Sequence, residues 1–596
     1  MQTVGNSGGV GSRALAGVLL VLAGGACGCT DNLADVDART AELIERRSGL
    51  LGPSSRVPRR EFGEATDADA AAKAKVPGSV NPATEELSFV AADEARDVAA
   101  RLEAFSRPPP DAVRLDLQGS WRQAQRSARE YLSAEEEYIL AAIRLLIERH
   151  AFDPRFFATA TAAVDKTDTP GDAREQVPLS IMGNLGVVQR FENGADVAAR
   201  WVWDATEELR TSATGRYTQS SSLVLSGNLP LLRGAGDVAR ADLIQAEREL
   251  VYAARAFEDF RRTYLVSIAR DYFTLAQQVA QIRNQERQLA SLVDLQERTR
   301  ALVEAGRLAE FETAIAASQV LQGRSTLASV RESFILALDR FKVRLGMDVN
   351  QPVVLEAVAL QLPEPEILPE VASAMALDFR LDLQTRRDRF EDARRNVEFA
   401  RNSLLPDANL FGSVTARTRP ASGADGAPRE GGFVYEPDDV VYRGGIAVSV
   451  PLDKEIERLN VRAATIGVEQ RRRDVEQTRD TIIVEVRSRV RQIDRARFAL
   501  TLAEQAVQIN QRRLEEQELK RDEVTAQQIV DTNNVLLGAE NARDQAVTDL
   551  RNAILDYLVS TATLRVARDG TLESLPGMGD VNAPDPVPAA GDAAQP

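Results

Sequence analysis

The chain has few of the residues that build catalytic or metal centres. It contains one histidine, His150, and two cysteines, Cys27 and Cys29, which both lie near the N-terminus. The rest of the chain therefore cannot form a disulfide, a thiolate zinc site or a Cys/His nucleophile pair. His150 ends the helical run YILAAIRLLIERH, where a histidine at a helix C-terminus is a simpler interpretation than a member of a Ser/His triad.

Aromatic residues are also scarce, and acidic residues outnumber basic ones. The net charge is -16, and aromatic residues make up 5% of the chain, a composition that suits long helices better than large compact cores. A nucleic-acid partner needs a concentrated cationic face, so the charge argues against one. The carboxylates are scattered over predicted helices, and the sequence has no phosphate-binding loop or metal-ligand constellation. We therefore expect neither an enzyme nor a bound metal, and no cofactor except a lipid anchor.

The N-terminus lacks a hydrophobic run long enough to span a membrane. The stretch ALAGVLLVLAGGACGC holds about ten apolar residues followed by small ones, which is typical of an export signal. Cysteine after small residues resembles the lipobox of bacterial lipoproteins. Residues 1–29 are therefore predicted to be a lipoprotein signal peptide with Cys29 as the lipidated residue. Cys27 is the alternative acceptor, and an ordinary cleaved signal is the alternative to lipidation. Thr30 stands where an aspartate is associated with inner-membrane retention, which points to the outer membrane.

Two terminal segments have little hydrophobic patterning. Residues 30–110 are polar and predicted to be largely extended, with a short helix near DARTAELIERR. Residues 570–596 are rich in proline, alanine and glycine and are predicted to form a disordered tail. The folded body is therefore expected between these two segments.

Proline is absent from two long blocks, residues 231–351 and 452–575. Each block follows a strand-like segment that ends in a proline, Pro230 in SSLVLSGNLP and Pro451 in GGIAVSVP. The two prolines are therefore candidate strand-to-helix junctions, and one unit of the chain is predicted to occur twice.

Both proline-free blocks show heptad spacing of apolar residues. Ile268, Leu275, Ile282 and Leu289 are seven apart in the first block, and Val486, Ile493, Leu500, Val507 and Leu514 in the second. A break near the middle of each block predicts two antiparallel helical hairpins. Each outgoing helix would be about 100 Å long, and its shorter return arm would be matched by stacking on the preceding short helix. Repeat 1 is predicted to span residues 111–351, with strands at about 155–230 and a hairpin at about 237–346. Repeat 2 is predicted to span residues 352–569, with a short helix at about 372–403, strands at about 407–451 and a hairpin at about 453–566.

The regions between the helices contain alternating, strand-like segments. They are RFFATATAAV, ADVAARWVWDA and YTQSSSLVLSG in repeat 1, and NLFGSVTART and VYRGGIAVSVP in repeat 2. Trp201 and Trp203 fall on one strand face, where they would form either an interfacial belt or an ordinary β-sandwich core. The third segment of repeat 1 is either an extra hairpin or part of a long strand. About four strands cannot close alone, so a barrel would need several chains.

Four stretches of the sequence resemble the TolC family of outer-membrane efflux channels. The likeness lies in NLPLLRGAG, VEAGRLAEFETAIAASQVL, LLPDANLFGSV and QQIVDTNNVLLGAENARDQAVTDL, and it spans residues 111–566 in both repeats. The resemblance implies a fold that is mainly α with a transmembrane β section. Three chains, with four strands each, would form a 12-stranded β-barrel in the bacterial outer membrane, continued by an α-helical periplasmic tunnel.

The resemblance also implies a function and partners. The homotrimer would be a passive exit duct in a tripartite efflux or type I secretion system. It would dock a periplasmic adaptor protein and an inner-membrane pump, and it would be gated at its periplasmic helical tips. The alternative is a periplasmic adaptor or a coiled-coil scaffold lipoprotein, although two hairpins and the alternating strands favour the channel.

Site residues follow from the same resemblance. Asp531 and Glu312 would be aperture and gating residues, although Gln528 stands where a further aspartate is expected. Gly306 and Arg307 would form the adaptor-docking tip. The alternatives are solvated helix carboxylates and a plain helix-breaking glycine. The second tip has no such glycine.

Overall fold

The computed structural model describes residues 33–48, 112–164, 177–209, 218–356, 368–418, 435, 439–520 and 525–566. Within these ranges the chain folds into nine α-helices, a six-stranded antiparallel sheet and a two-stranded parallel sheet. The helices are α1 Leu33–Ser48, α2 Leu117–Ser127, α3 Arg129–His150, α4 Ala241–Glu304, α5 Phe311–Leu345, α6 Pro369–Phe379, α7 Leu381–Asn402, α8 Glu455–Leu519 and α9 Ala526–Ser560. The strands are β1 Val113–Leu115, β2 Arg155–Val164, β3 Val177–Arg190, β4 Asp196–Leu209, β5 Thr218–Pro230, β6 Val353–Leu355, β7 Asp407–Arg417 and β8 Val440–Ser449.

The helices of the two repeats correspond almost residue for residue. The long helices α4 and α8 have 64 and 65 residues, and their return helices α5 and α9 both have 35. The short helices also match, since α2 and α6 have 11 residues and α3 and α7 have 22. One extended residue joins each short pair, Ala128 at φ -68 and ψ 124 and Arg380 at φ -70 and ψ 122. The chain is therefore built from two copies of one helical unit.

The return helix of repeat 1 ends against the short helices of its own repeat. In repeat 1, Ser127 Oγ donates a hydrogen bond to the carbonyl oxygen of Leu345, the last residue of α5, at 3.0 Å. Gly346 then turns the chain at φ 69, and a Cβ at this position would lie 2.0 Å from the Ser127 carbonyl oxygen. Only glycine combines this backbone with this close approach. Together, α2, α3 and α5 contain about as many residues as the 64-residue helix α4 beside them.

The main hydrophobic core lies where the short helices pack on the long ones. Trp121 of α2 is fully buried, and its indole Nε1 donates to the carbonyl oxygen of Leu265 in α4 at 2.8 Å. Phe341 and Leu383 bring α5 and α7 into the same cluster. The N-terminal helix α1 adds Leu43 and Ile44 and packs on α3. This helix lies at DARTAELIERR, whereas residues 1–32, including Cys27 and Cys29, lie outside the described residues.

The sheet has more strands than the resemblance implied. Its order is β2-β3-β4-β5-β7-β8, with every neighbouring pair antiparallel, and β5 pairs with β7 to join the two repeats. The chain therefore contributes six strands instead of four. The additional pair is the hairpin β3–β4, in which most of ADVAARWVWDA lies in β4 and the unexpected partner strand is β3. No helix in the described ranges has the length and apolar character needed to cross a bilayer.

Candidate channel wall and aperture

The six-stranded sheet has one apolar and one polar face. Cross-strand register places Leu185, Trp201 and Leu223 side by side on one face, next to Ala158 and Ala416. The apolar face continues through Phe156, Ala160, Ile181, Val187, Val197, Ala199, Trp203, Leu225, Leu410, Val414, Tyr442, Ile446 and Val448. The opposite face, the more polar of the two, carries Arg155, Thr159, Ser180, Asn184, Arg200, Asp204, Ser222, Ser226, Ser413, Thr415 and Arg443, interspersed with Phe157, Met182, Val188, Val202, Val224, Phe411 and Val441. Alternation of this kind is typical of a wall between hydrocarbon and water.

The apolar face is exposed within a single chain. Phe156 is 81% exposed, Ile446 is 64% exposed and Leu223 is 49% exposed. Contiguous apolar surface of this extent is unfavourable in water, so the face requires an apolar partner. The sheet strands are 10 to 14 residues long, enough for the 9 to 11 residues that a tilted strand uses to cross a bilayer.

Aromatic residues with polar groups lie at the level where β7 and β8 end, which is the middle of the longer strand β4. Trp201 Nε1 donates to Ser221 Oγ at 2.7 Å, and the Tyr435 hydroxyl is 2.7 Å from the same oxygen. Trp203 pairs with Ser221 in the sheet register, so both tryptophans share the apolar face. Rings with a hydrogen-bonded polar group are common at the boundary of hydrocarbon and water. The arrangement favours an interfacial belt over a closed sandwich core, because the face has no second sheet packed on it among the described residues.

Sheet and helices meet at a tightly bonded junction. Pro230 is the last residue of β5 and pairs with Asn409, while Pro451 lies two residues after Ser449, the end of β8. The Leu231 amide donates to the Ala408 carbonyl oxygen at 2.7 Å, which ties the start of the α4 connection to β7. Lys454 Nζ donates to a carbonyl oxygen at the end of repeat 2's short helix pair, that of Leu404, at 2.8 Å. The two prolines are thus placed at equivalent strand exits.

Below the main core, α4 and α9 meet through polar side chains. Asn284 is buried, and its Nδ2 donates to Asn541 Oδ1 and to Asp544 Oδ2, both at 3.0 Å. Further contacts across the same helix pair are Gln277–Gln545 at 2.5 Å, Arg287–Glu540 at 3.1 Å, Gln288–Asn534 at 2.5 Å and Ser291–Asn533 at 3.3 Å. We call this set of residues the polar seam. It ends at a small apolar cluster of Leu292, Val320 and Val530.

The part of α4 nearer the sheet is held by charged groups instead. Arg255 Nη1 lies 2.5 Å from Asp388 Oδ2 of α7, and Arg248 Nη2 donates to the Asp388 carbonyl oxygen at 2.9 Å. Tyr252 donates to the buried Asp392. Burial, followed by the hydrogen bond to Asp392, raises the pKa of the Tyr252 phenol to about 12, so this group remains a neutral donor at physiological pH.

The first helical tip has a well-defined turn. Gly306 has φ 71, its amide donates to the Val303 carbonyl oxygen, and the Arg307 amide donates to that of Leu302, both at 2.9 Å. This pair of bonds is a Schellman motif, which ends α4 at its glycine. Arg307 is exposed, and Glu312 lies in the first turn of α5. The structure therefore places Gly306 and Arg307 at the surface of the tip, and Glu312 follows them at the start of the return helix.

At the second tip, Gln528 has a structural role. The Gln528 amide and side chain form a capping box with Thr525 at the start of α9, with bonds of 3.4 and 3.1 Å. The shorter side chain of an aspartate at position 528 would reach the Thr525 amide less readily, so the reciprocal bond favours glutamine here. Asp531 follows Val530 of the apolar cluster, is exposed, and accepts from Gln527 Nε2 at 3.0 Å. No hydrogen bond or ion pair joins Asp531 to Glu312 in the described chain.

The helical wall carries apolar residues that lie uncovered in a single chain. On α8, Val484, Phe498, Leu502 and Ile509 are between 50% and 65% exposed. Their spacing of 14, 4 and 7 residues places them on one side of the helix. On α5, Leu336 and Val343 are a heptad apart and are 45% and 57% exposed. These stripes indicate helix surfaces that need further helices beside them.

Comparison with known proteins assigns a family to the second repeat. Residues 372–556 match the family model described as "Outer membrane efflux protein". These residues form an outer membrane efflux protein domain. The domain runs from α6 into the last turns of α9 and so holds Pro451, Gln528 and Asp531, whereas Pro230, Gly306, Arg307 and Glu312 belong to the first repeat. A search of curated proteins finds no match to the chain.

Solved structures of outer-membrane channels share the fold of this chain. The Campylobacter jejuni CmeC outer membrane channel gives a TM-score of 0.54 at 15% identity, covering 85% of this chain and 93% of CmeC. CusC gives 0.57 at 12% identity, with 75% and 91% covered. VceC from Vibrio cholerae gives 0.53 at 16% identity, with 75% and 95% covered. The predicted fold class, mainly α with a β section in two repeats, is confirmed.

Proposed function

We propose that three copies of this chain form an outer-membrane channel, which serves as the exit duct of a tripartite efflux or type I secretion system. The observation that carries the proposal is an unfinished wall. Among the described residues the sheet has an exposed apolar face and two unpaired edges, β2 and β8, and it continues into two long helical hairpins with uncovered apolar stripes. A wall of this form needs both a bilayer around the sheet and further copies beside it.

Closure by one chain is not a workable alternative. A membrane barrel needs roughly eight strands at least, and the sheet has six. Strands β2 and β8 are antiparallel to one another, because each step across the sheet reverses direction and the sheet has an even number of strands. The β8 edge of one copy can therefore pair with the β2 edge of the next in the geometry used throughout the sheet. The family likeness supports three copies.

The duct would supply a water-filled path across a layer that strongly disfavours polar solutes, and it would catalyse no reaction. We place its gate at the helical tips. The polar seam between α4 and α9 would loosen on opening, because its buried partners are polar groups that water can satisfy once the helices part. Three copies of Asp531, with Glu312 behind the first tip, would attract cations at the aperture.

The partners in this proposal are a periplasmic adaptor that docks at Gly306 and Arg307, and an inner-membrane pump that drives transport. A lipid on Cys29 would anchor the N-terminus in the outer membrane, since α1 begins at Leu33 only a few residues later. An adaptor or scaffold lipoprotein remains the alternative. The six-stranded sheet with its apolar face opposes it, because such proteins have no use for a hydrocarbon-facing surface.

Purification from outer membranes tests the proposal. We expect a heat-modifiable trimer that passes ions in planar lipid bilayers. A matched variant, Leu223→Asp, places a charge on the apolar sheet face and should prevent insertion, because a buried carboxylate in hydrocarbon is costly. Ser222→Asp, one residue away on the polar face, should insert normally. A soluble monomer without conductance, or equal insertion of both variants, would refute the channel.

A further inference from the structure

We propose that the β3–β4 hairpin is part of the membrane wall, so that the trimer closes an 18-stranded barrel with an outlet as wide as its helical tunnel. The inference rests on the proposed trimer and goes beyond it. Three copies of a six-stranded sheet give 18 strands, whereas the family resemblance implies 12. The question is whether the extra hairpin lies in the wall or is an appendage to it.

The hairpin occupies the interior of the sheet. Strand β3 pairs with β2 over ten residues, from Arg155↔Val188 to Val164↔Leu179. Strand β4 pairs with β5 from Asp196↔Asn228 to Thr206↔Thr218. Since β2 and β5 are not hydrogen-bonded to each other, the wall is continuous only through β3 and β4. An appendage would instead extend from an edge.

The hairpin also has the same two faces as its neighbours. Its apolar side chains Leu185, Val187 and Trp201 lie on the face shared with Leu223 of β5, and Asn184 and Arg200 lie on the polar face. A hairpin folded into the lumen as a plug would be polar on both faces. A hairpin in water above the membrane would not place tryptophan and leucine on one exposed face.

Close packing fixes the hairpin within the sheet. A Cβ at Gly186 would lie 2.7 Å from the ring of Phe157 and 2.8 Å from the Ala199 carbonyl oxygen. Phe157 therefore lies over β3 on the polar face, where only glycine leaves room for the ring. The three strands β2, β3 and β4 form one packed unit at this point.

The hairpin turn is attached to the helical part. Gly194 has φ +92, and a Cβ there would lie 2.9 Å from the Gly234 carbonyl oxygen in the α4 connection. Arg190 Nη2 donates to the Ala239 carbonyl oxygen at 2.9 Å, and Arg240 Nη1 lies 3.4 Å from Glu192 Oε2. The turn thus rests on the ring of helix ends, at the level where the other strands join their helices. The extra strands therefore begin at the same membrane boundary as the rest of the wall.

Strand geometry gives the consequence for width. With strands about 4.8 Å apart and tilted by about 40°, a barrel of 18 strands is about 36 Å across between backbones, against about 24 Å for 12 strands. A ring of four helical columns per chain, spaced 8 to 10 Å, measures about 31 to 38 Å across its axes in a trimer. The outlet would therefore add no constriction for bulky solutes that have passed through the tunnel.

Paired cysteine variants carrying nitroxide labels test the location of the hairpin in reconstituted trimers. Leu185→Cys and Asn184→Cys are neighbours on opposite faces of β3, and Leu225→Cys and Ser226→Cys are the matched pair on β5. We expect the labels at 185 and 225 to be more accessible to oxygen, which partitions into lipid, than to a polar nickel complex. The order should reverse at 184 and 226. The protein without added cysteines gives the background signal.

The two pairs of labelled positions distinguish the proposal for the hairpin from the proposal for the channel. If the β5 pair shows lipid contact and the label at 185 is as accessible to the nickel complex as that at 184, the hairpin lies outside the wall and the inference fails while the channel stands. If the label at 225 also lacks lipid contact, the proposed channel itself fails. Cryo-electron microscopy of the unmodified trimer gives an independent measure, because a cross-section with 18 strands is expected and one with 12 would overturn the proposal.

Discussion

Removing the side chain of Asn284 should favour the open channel. Its amide nitrogen makes one bond to the neutral Asn541 and one to the charged Asp544 across the polar seam, each at 3.0 Å. A neutral hydrogen bond contributes about 1 kcal/mol net and one to a charged group about 1.5 to 3 kcal/mol, but Asp544 retains Arg543 at 2.7 Å. Asn284→Ala should therefore cost the closed seam about 2 kcal/mol per chain.

This cost translates into a large change in opening. Since 1.4 kcal/mol is a factor of ten, about 2 kcal/mol raises the ratio of open to closed seams about 30-fold in each chain. If the three seams must open together, the factors multiply, and the effect on the trimer becomes about 10⁴-fold. Single-channel recording in planar bilayers measures this ratio as open probability.

A matched control separates gating from general damage. Asn510 in α8 makes its bond within its own helix, to the Ala506 carbonyl oxygen at 2.9 Å, so Asn510→Ala should leave open probability unchanged. The double variant with Asn541→Ala should be less than additive, because both changes remove one shared bond. If Asn284→Ala and Asn510→Ala trimers open equally often, the seam does not hold the gate closed.

Three further variants test other parts of the argument. Gly346→Ala should lower the free energy of unfolding in denaturant by about 2 kcal/mol or more, because an L-residue at φ 69 is strained and its Cβ meets a backbone carbonyl. The control Gly538→Ala in α9, with open space around its Cβ, should be neutral or stabilising by about 0.5 kcal/mol. Cys29→Ser should abolish incorporation of labelled palmitate, and Cys27→Ser should not; the reverse result would move the anchor to Cys27. Asp531→Asn should lower the preference for cations in reversal-potential measurements, and an unchanged preference would remove it from the aperture.

The helical fold could be predicted because its signals are local. Heptad spacing from Ile268 to Leu289 and the absence of proline act within one helix, so they do not depend on what packs beside it. The glycine that ends α4 is equally local, since Gly306 provides the positive φ that a Schellman turn needs. The same holds for Pro230 and Pro451, where strand patterning stops.

Strand β3 was missed because its signal is interrupted. Leu179, Ile181, Leu185 and Val187 alternate on one face, but Gly183 occupies the middle of the series, and Gly186 follows on the other face. Glycine normally weakens a strand, and here Gly186 is required by the ring of Phe157 on the neighbouring strand. That requirement comes from tertiary contact. Comparing every second residue across Gly183 would have revealed the apolar face.

The polar seam could not be read from the sequence at all. Asn284 and Asn541 are 257 residues apart, and their contact depends on the register of two antiparallel helices from different repeats. A polar residue outside the apolar heptad positions of a helix is normally interpreted as facing solvent. The signal becomes meaningful only when the partner helix supplies a complementary amide or carboxylate at the same level.

In the proposed channel, the position of the seam along the wall would let the gate move while the channel stays assembled. Toward the sheet, α4 packs through Leu250, Leu265 and Tyr272 against the short helices, and α9 adds Leu555 to the same core. Beyond residue 275 the recorded side-chain bonds between α4 and α9 join polar groups, and Ile282 is the one large apolar side chain of α4 that is buried before the small cluster at Leu292. Parting the helices in this lower section exposes little apolar surface, so its opening costs less free energy than disruption of the core above it. The tips can therefore separate as a local transition, with the core acting as a fixed base and the bonded junction keeping the sheet in place.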